Sequence, residues 1–430
     1  MPAGRLESLY NDGSARGSTS LRPMKRKRVA IVLSGGGARG AYEAGVLSWL
    51  FERVYPRLPD GFEFDIVSGT SVGAIHSAYI ASTAHLSGAA RAQPLLDTWR
   101  EMALENVLDF GLGDLVSFPL RALGLGFRRR APAGGGAPDT LGGLVNVTPL
   151  ERLVEKRISW PDLRRNLDAG RPGALCIACT EVDSGRVAVF LDGTLADTTP
   201  WRFDSHVQAD VTAITGRHVR ASAAIPFLFP AVRIGERYYL DGGLRINTPL
   251  SPALRLKADH VIVVALKSKP MSQSGIPYTN PESVTQPAFL LGKVLNALLL
   301  DQLELELRRL EVMNALIEGA EEALGVGSLG PINDAIRAKR GVEYRKVSHL
   351  VVRPSEDLGV MAAGAYRSGT RSSGMLGGLL ARTALRGVPE DEADLFSYLY
   401  FDGNFTRPLV ELGREDTRRQ EDAIVDLLAS

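Results

Sequence analysis

Residues 29–40 read Val-Ala-Ile-Val-Leu-Ser-Gly-Gly-Gly-Ala-Arg-Gly, with Lys25-Arg-Lys-Arg28 directly before them. A continuous apolar run, rich in β-branched residues and bounded by charges on one side and glycines on the other, predicts a strand buried on both faces, the kind from which parallel sheets are built. After the glycine turn, Ala44, Leu47, Leu50, Phe51 and Val54 recur at helical spacing from Ala41 to Val54, until Pro56 and Pro59 end the pattern. A second strand is expected over Phe62 to Val67, a second glycine turn over Gly69 to Gly73, and a second helix from Val72 to Ala84. Strand, turn and helix repeated in this order form the βαβ arrangement of an open α/β sheet, which puts both glycine turns on the edge where ligands bind. The expected fold class is α/β: three layers, α/β/α, around a mostly parallel central sheet.

Further strands are expected at Ala174 to Glu181, Val187 to Leu191, Tyr238 to Leu240, Val261 to Leu266 and His349 to Val352. An amphipathic helical pattern runs over 286–324, and the part 284–430 is expected to be mainly helical. There is no internal repeat. Residues 1–24 are small, polar and Gly/Ser-rich, without the apolar segment of a secretory signal, and are expected to form a disordered leader. Arg128-Arg-Arg130 and the Gly/Pro-rich stretch after it make 128–143 an expected mobile insertion that interrupts one domain, 25–430, without dividing it. A chain of 430 residues has ample length to bury a core.

Composition excludes several classes. Lys+Arg number 50 against 49 Asp+Glu, so no basic stripe marks a nucleic-acid binder. Two cysteines exclude a disulfide framework, and Cys176 and Cys179, three apart on a strand, face opposite sides and cannot close a disulfide or a metal clip. No stretch of about twenty apolar residues occurs, since Phe289 to Leu300 is interrupted by Lys293 and Asn296. The basic run Lys25–Arg28 reads as a solvated gatekeeper before a buried strand, with attraction to anionic headgroups as the other reading. The expected location is the cytoplasm, with peripheral contact to a membrane surface.

Gly35-Gly-Gly-Ala-Arg-Gly40 fits the dinucleotide fingerprint G-x-G-x-x-G literally. So do Gly325, Gly327 and Gly330, which follow a helical pattern and run into Pro331, and chance supplies such matches in a chain with 45 Gly. A nicotinamide site also needs an acid at the end of the next strand, where this chain has Val67-Ser68-Gly69, with Asp65 inside the strand. At that strand end stands Gly69-Thr-Ser71-Val-Gly73, a nucleophile elbow whose flanking glycines let a tight turn expose one hydroxyl. The backbone N–H groups of Gly36 and Gly37 are candidate donors to a substrate oxyanion, with Arg39 orienting their loop. No histidine offers a paired base: His76 lies one turn past the elbow, and His85, His206, His218, His260 and His349 read as structural. Three aspartates precede a glycine at a strand end. Asp192 and Asp402 read as hairpin-turn residues, whereas Asp241-Gly242-Gly243 leaves a carboxylate exposed on the edge.

Taken with Ala221-Ser-Ala-Ala-Ile-Pro226 and with Asn247 and Pro249 after Asp241-Gly-Gly243, these motifs resemble the patatin-like phospholipase family, in the family's order across residues 29–249. Ala178-Cys-Thr-Glu-Val-Asp-Ser-Gly185 resembles its strand and turn between elbow and aspartate, and Phe396-Ser-Tyr-Leu-Tyr-Phe-Asp-Gly403 with Leu409-Val-Glu-Leu-Gly413 resembles bacterial members. The resemblance implies a patatin-like fold and a Ser–Asp dyad hydrolysing lipid acyl esters, most expectedly of phospholipids or lysophospholipids, without metal or cofactor. By position, Ser71 is the nucleophile, Asp241 the general base, and the loop Gly35, Gly36, Gly37, Ala38, Arg39, Gly40 the oxyanion hole, with Gly69 and Gly73 shaping the elbow and Gly242 and Gly243 the turn after the base. An aspartate near its ordinary pKa of about 3.9 is a feeble base, so a partly desolvated pocket is expected to raise it. Two other readings stay open: a nicotinamide-dependent oxidoreductase and a non-catalytic lipid-binding module. Phe110 to Arg130, apolar with a basic end, suits an anionic lipid surface or a lid packed on the core. Oligomeric state has no signature in the sequence.

Overall fold

Every residue of the opening strand, Val29–Leu33, is buried, and alternate residues serve opposite sides: Val29, Ile31 and Leu33 pack into one apolar cluster, Ala30 and Val32 into another. That division is the period-2 geometry of a strand with a helical layer on each face. The computed structural model describes residues 26–107, 138–143, 145–226, 228–268, 303–368 and 394–430. In chain order its strands are β1 (Val29–Leu33), β2 (Ile66–Thr70), β3 (Thr140–Leu141), β4 (Ala174–Glu181), β5 (Val187–Asp192), β6 (Val207–Val211), β7 (Ala231–Ile234), β8 (Arg237–Asp241), β9 (His260–Val264) and β10 (Ser348–Val352). They join one sheet in the order β10-β9-β1-β2-β4-β8-β7-β3, with β5 on β4 and β6 on β5. The run from β10 to β4 is parallel throughout, and β8, β7, β3 and β5 add antiparallel pairs.

The helices are α1 (Gly40–Trp49), α2 (Val72–Ser82), α3 (Gly88–Arg100), α4 (Thr148–Arg157), α5 (Trp160–Asp168), α6 (Gly216–Ser222), α7 (Leu250–Arg255), α8 (Leu303–Leu324), α9 (Gly330–Arg340), α10 (Leu358–Ser368), α11 (Asp394–Leu399), α12 (Gly403–Arg419) and α13 (Glu421–Ala429). α1, α2, α3 and α12 close the larger cluster, and α7 and α8 close the other. The fold is the expected three-layer α/β/α arrangement. Cys176 and Cys179 are buried, unbridged and in opposite clusters.

Several boundaries moved for physical reasons. The second strand begins at Ile66 and runs on through Ser68, Gly69 and Thr70, because parallel neighbours on both sides satisfy its backbone and Ser68 Oγ donates to the Pro249 carbonyl at 3.0 Å. Phe62 and Phe64 instead join an edge-to-face aromatic group with Tyr55, at centroid distances of 5.1 and 5.9 Å. Asp65 therefore sits at the amino edge of the sheet, accepting from the Val29 amide at 2.9 Å and pairing with Arg26. Arg28 is likewise anchored there, its amide donating to Asp259 and its guanidinium to the Leu256 carbonyl. The glycine match at 325–330 is the link between α8 and α9. Asp192 ends β5, held by Arg164 at 2.9 Å and by the Ile214 amide at 2.8 Å. Asp402 is no hairpin residue: its carboxylate caps α12, accepting from the Asn404 amide at 2.8 Å. The leader 1–24, Phe110 to Arg130, most of 128–143, and residues 286–302 of the long helical pattern lie outside the described residues.

Candidate active site

β4 is longer than β2, and its spare end brings two distant motifs together. On one side of β4, Thr70 of β2 pairs with Ala178, and on the next rung Asp241 of β8 pairs with Cys179. β2 leaves that side where β8 arrives, so the turn after Thr70 opens directly onto Asp241. Ser71 Oγ donates to Asp241 Oδ2 at 2.7 Å.

Ser71 occupies φ 56°, ψ −123°, a conformation L residues rarely adopt. The strand-to-helix reversal needs both flanking glycines: a Cβ on Gly73 would run into the Leu33 carbonyl, and one on Gly69 into the Gly73 carbonyl. The Ser71 amide donates to Ser222 Oγ at 2.9 Å, and that hydroxyl donates to the Ala178 carbonyl at 2.6 Å. Ser222 thus ties the elbow to β4, a role inside the quoted Ala221–Pro226 motif that its residue types do not announce.

Asp241 is fully buried, and burial pushes its carboxyl up to about 6, moderated by hydrogen bonds from Ser71 and the Gly243 amide. The Gly243 N–H meets Oδ1 at 2.7 Å, leaving Oδ2 to the serine. The Asp241 backbone is pinned on both sides, its amide donating to the Ala224 carbonyl and its carbonyl accepting from Thr180 Oγ1, each at 2.9 Å.

The first glycine loop lies against the elbow, a Cβ on Gly35 being 3.1 Å from the Ser71 Cβ. The Gly35 amide donates to the Asn247 carbonyl at 2.9 Å, Asn247 Nδ2 returns a bond to the Gly35 carbonyl at 3.1 Å, and the Arg39 amide closes on the Gly36 carbonyl. Among the described residues, no backbone hydrogen bond outside helices and strands uses the Gly36 or Gly37 amide. Gly37 takes φ +55°, and a Cβ there would strike the Tyr398 carbonyl. Buried Arg39 fastens the loop to α11, donating to Ser397 Oγ at 2.7 Å and lying 4.4 Å over the Tyr398 ring. Ala38 and Gly40 are buried where this turn enters α1.

No described histidine hydrogen-bonds Ser71 or Asp241. His76 Nε2 accepts from Trp99 Nε1 at 2.9 Å, which fixes its proton on Nδ1, donated to Glu43 Oε2 at 2.8 Å. Burial drives His76 down to about 3 and raises Glu43 well above the usual carboxylate range, so it works against charge on both partners. His218 accepts from the Thr215 amide at its own helix start. No group of three or more His, Cys, Asp or Glu able to hold a metal occurs among the described residues.

From Ser71 and Gly37 an apolar pocket extends between α2, α3 and α4, walled by residues such as Ile75, Leu95, Met102, Leu153 and Val154. A strained, buried hydroxyl bonded to a carboxylate with pKa near neutrality, free amides beside it and an apolar channel leading away can hold a long apolar acyl chain and attack its carbonyl. No helix among the described residues is long and apolar enough to cross a membrane.

Residues 31–254, more than half of the chain, match the patatin-like phospholipase family. An uncharacterised protein of Acanthamoeba polyphaga mimivirus is 48% identical over 76 residues, 17% of this chain and 19% of that protein, so the chain spans about a fifth of the length of that relative. Among solved structures, the chain is similar to VipD from Legionella pneumophila, at 13% identity and a TM-score of 0.27, with 87% of this chain and 67% of that one covered. It is also similar to the human GIVD cytosolic phospholipase A2 in complex with methyl gamma-linolenyl fluorophosphonate, at 13% identity and a TM-score of 0.39, with 94% and 59% covered.

Proposed function

The chain belongs to the patatin-like phospholipase family, and from that premise we propose that it hydrolyses carboxylic ester bonds of phospholipids or lysophospholipids through a Ser71–Asp241 pair and an acyl-enzyme. Membership of a phospholipase family supports lipid hydrolysis. The finer reading rests above all on the 2.7 Å hydrogen bond from Ser71 to buried Asp241 at the head of an apolar pocket.

In this reading the substrate carbonyl lies over Ser71 with its acyl chain in the pocket. Asp241, ionised, takes the hydroxyl proton as Oγ bonds the carbonyl carbon, and the oxyanion that forms accepts from the Gly36 and Gly37 amides. Collapse breaks the ester C–O bond. The leaving alkoxide takes the proton from Asp241, and the acyl group stays on Ser71. Water then enters, Asp241 accepts its proton, and the second tetrahedral species releases fatty acid and returns the proton to Ser71. The lipid is reached by peripheral contact with a membrane surface from the cytoplasm, and residues 25–430 act as one domain.

A fluorophosphonate probe tests the assignment. Stoichiometric labelling at Ser71, lost in Ser71→Ala together with lysophospholipid hydrolysis, is the expected result. Lipid binding without labelling would instead make the protein a binding module, and labelling at another serine would move the site.

A further inference from the structure

With one exception, the polar side chains described in the pocket wall already have partners inside the protein. Ser71 bonds Asp241, His76 lies between Glu43 and Trp99, the Tyr79 hydroxyl donates to the Arg91 carbonyl at 2.6 Å, and Thr98 donates to the Pro94 carbonyl at 2.7 Å. The exception is Arg157. It lines the pocket, its Nε is buried with no hydrogen-bond partner, and among the described residues no carboxylate pairs with it.

Two helices place Arg157 at the far end. α4 lines the pocket with Leu150, Leu153, Val154 and Arg157, one stripe at i, i+3, i+4 and i+7. Leu150 is at the Asp241 end, since it also flanks Ala224, whose carbonyl holds the Asp241 amide. Arg157 is two turns further on. α2 runs alongside with Val72, Ile75, His76 and Tyr79, and eight residues from Ser71 to Tyr79 advance about 12 Å. Tyr79 feels the Arg157 charge: burial pushes its hydroxyl up to about 12 while the cations of Arg91 and Arg157 pull the other way.

We propose that the pocket takes an acyl chain of roughly nine to ten carbons ending in a carboxylate, which Arg157 holds at the end remote from Ser71. The inference rests on the hydrolase reading and specifies its substrate class. A guanidinium against an apolar wall gains most from a planar anion that can accept two hydrogen bonds. A headgroup phosphate does not meet the requirement, because it lies only a few bonds from the scissile ester and stays at the Ser71 end. Substrates of this class are esters whose acyl chain has been shortened by oxidation to a terminal acid, so a reaction that oxidatively cleaves unsaturated lipid acyl chains would supply them.

The test compares kcat/KM on the 4-nitrophenyl monoester of decanedioic acid with that on 4-nitrophenyl decanoate, for wild type, Arg157→Lys and Arg157→Leu. Wild type should favour the acid-ended ester, Arg157→Leu should lower the ratio of the two values by ~10-fold or more, and Arg157→Lys should keep part of it. A ratio unmoved by Arg157→Leu would show that the arginine only covers the wall with its stem and turns its head to water, and a wild type preferring decanoate tenfold would overturn the proposal outright. Calorimetric binding of monomethyl decanedioate and methyl decanoate to Ser71→Ala gives the same comparison without turnover. Tighter binding of the acid-ended ester, lost in Ser71→Ala/Arg157→Leu, is expected, and equal binding contradicts the proposal. If wild type cleaves neither nitrophenyl ester and no probe labels Ser71, the hydrolase reading fails, and the calorimetry still decides the role of Arg157.

Discussion

Two buried carboxyl groups reach side chains five residues apart, one just before α2 and one on it, and their surroundings give them opposite characters. Glu43 meets His76 and Asp241 meets Ser71, each across less than 3 Å. Burial raises both carboxyls, but hydrogen bonds from Ser71 and from the Gly243 amide hold Asp241 at about 6, whereas Glu43, with only the Ser34 backbone opposing its burial, goes well above its ordinary range. His76 is closed off by Trp99 on its other nitrogen, while Ser71 sits in a strained turn that presents its oxygen to the pocket. A buried acid beside a nucleophile-like partner is therefore not by itself a catalytic pair. The hydrogen bonds its carboxylate accepts set how far burial raises the acid, and the chain geometry around its partner decides whether anything can reach it.

Substitutions can break this contrast from either side. The largest effect is expected for Asp241→Asn, which keeps shape and hydrogen bonding but removes the proposed base: turnover should fall by ~10³-fold or more. Stability should move the other way. A carboxyl raised from 3.8 to about 6 by folding destabilises the folded state by on the order of 3 kcal/mol. That penalty is complete above pH 6 and absent below the unfolded pKa, so the variant should melt above wild type at pH 8 and converge with it near pH 4, read by thermal scans across that range. Next comes Gly37→Ala, where a Cβ must displace the Tyr398 carbonyl at a positive φ. If this amide receives the oxyanion as proposed, moving it should cost ~10²-fold in kcat with little change in KM. The smallest effect belongs to Glu43→Gln. Since burial disfavours the charged form of Glu43, the isosteric amide should shift the melting midpoint by the equivalent of under about 1 kcal/mol. A collapse of stability there would mean that Glu43 is ionised and that the contrast is drawn in the wrong place.

The central strands were legible because parallel strands covered on both faces must be apolar without interruption, as in Val29–Leu33. β6 and β7 were not, because β6 lies at the sheet's edge and β7 beside the two-residue β3, which leaves Gln208, Asp210 and Arg233 partly exposed and blurs the pattern. Both glycine turns could be placed on one edge from element order alone. The register that sets Asp241 one rung beyond Thr70 along β4 could not, since pairing across more than a hundred residues leaves no local trace. Ser222 escaped for the same reason: its hydroxyl matters through the Ser71 amide, 151 positions away in sequence. Arg157 is hidden more simply, as one of many arginines until the fold sets it in an apolar wall.

The pH dependence of kcat/KM on a short soluble ester tests the Ser71–Asp241 pair most directly. A base of pKa about 6 gives activity that rises tenfold per pH unit below that value and is level from about pH 7 upward. The inflection should be untouched by Glu43→Gln. A profile flat from about pH 4 to 8, or one whose inflection moves when the Glu43–His76 pair is altered, would contradict Asp241 as the base.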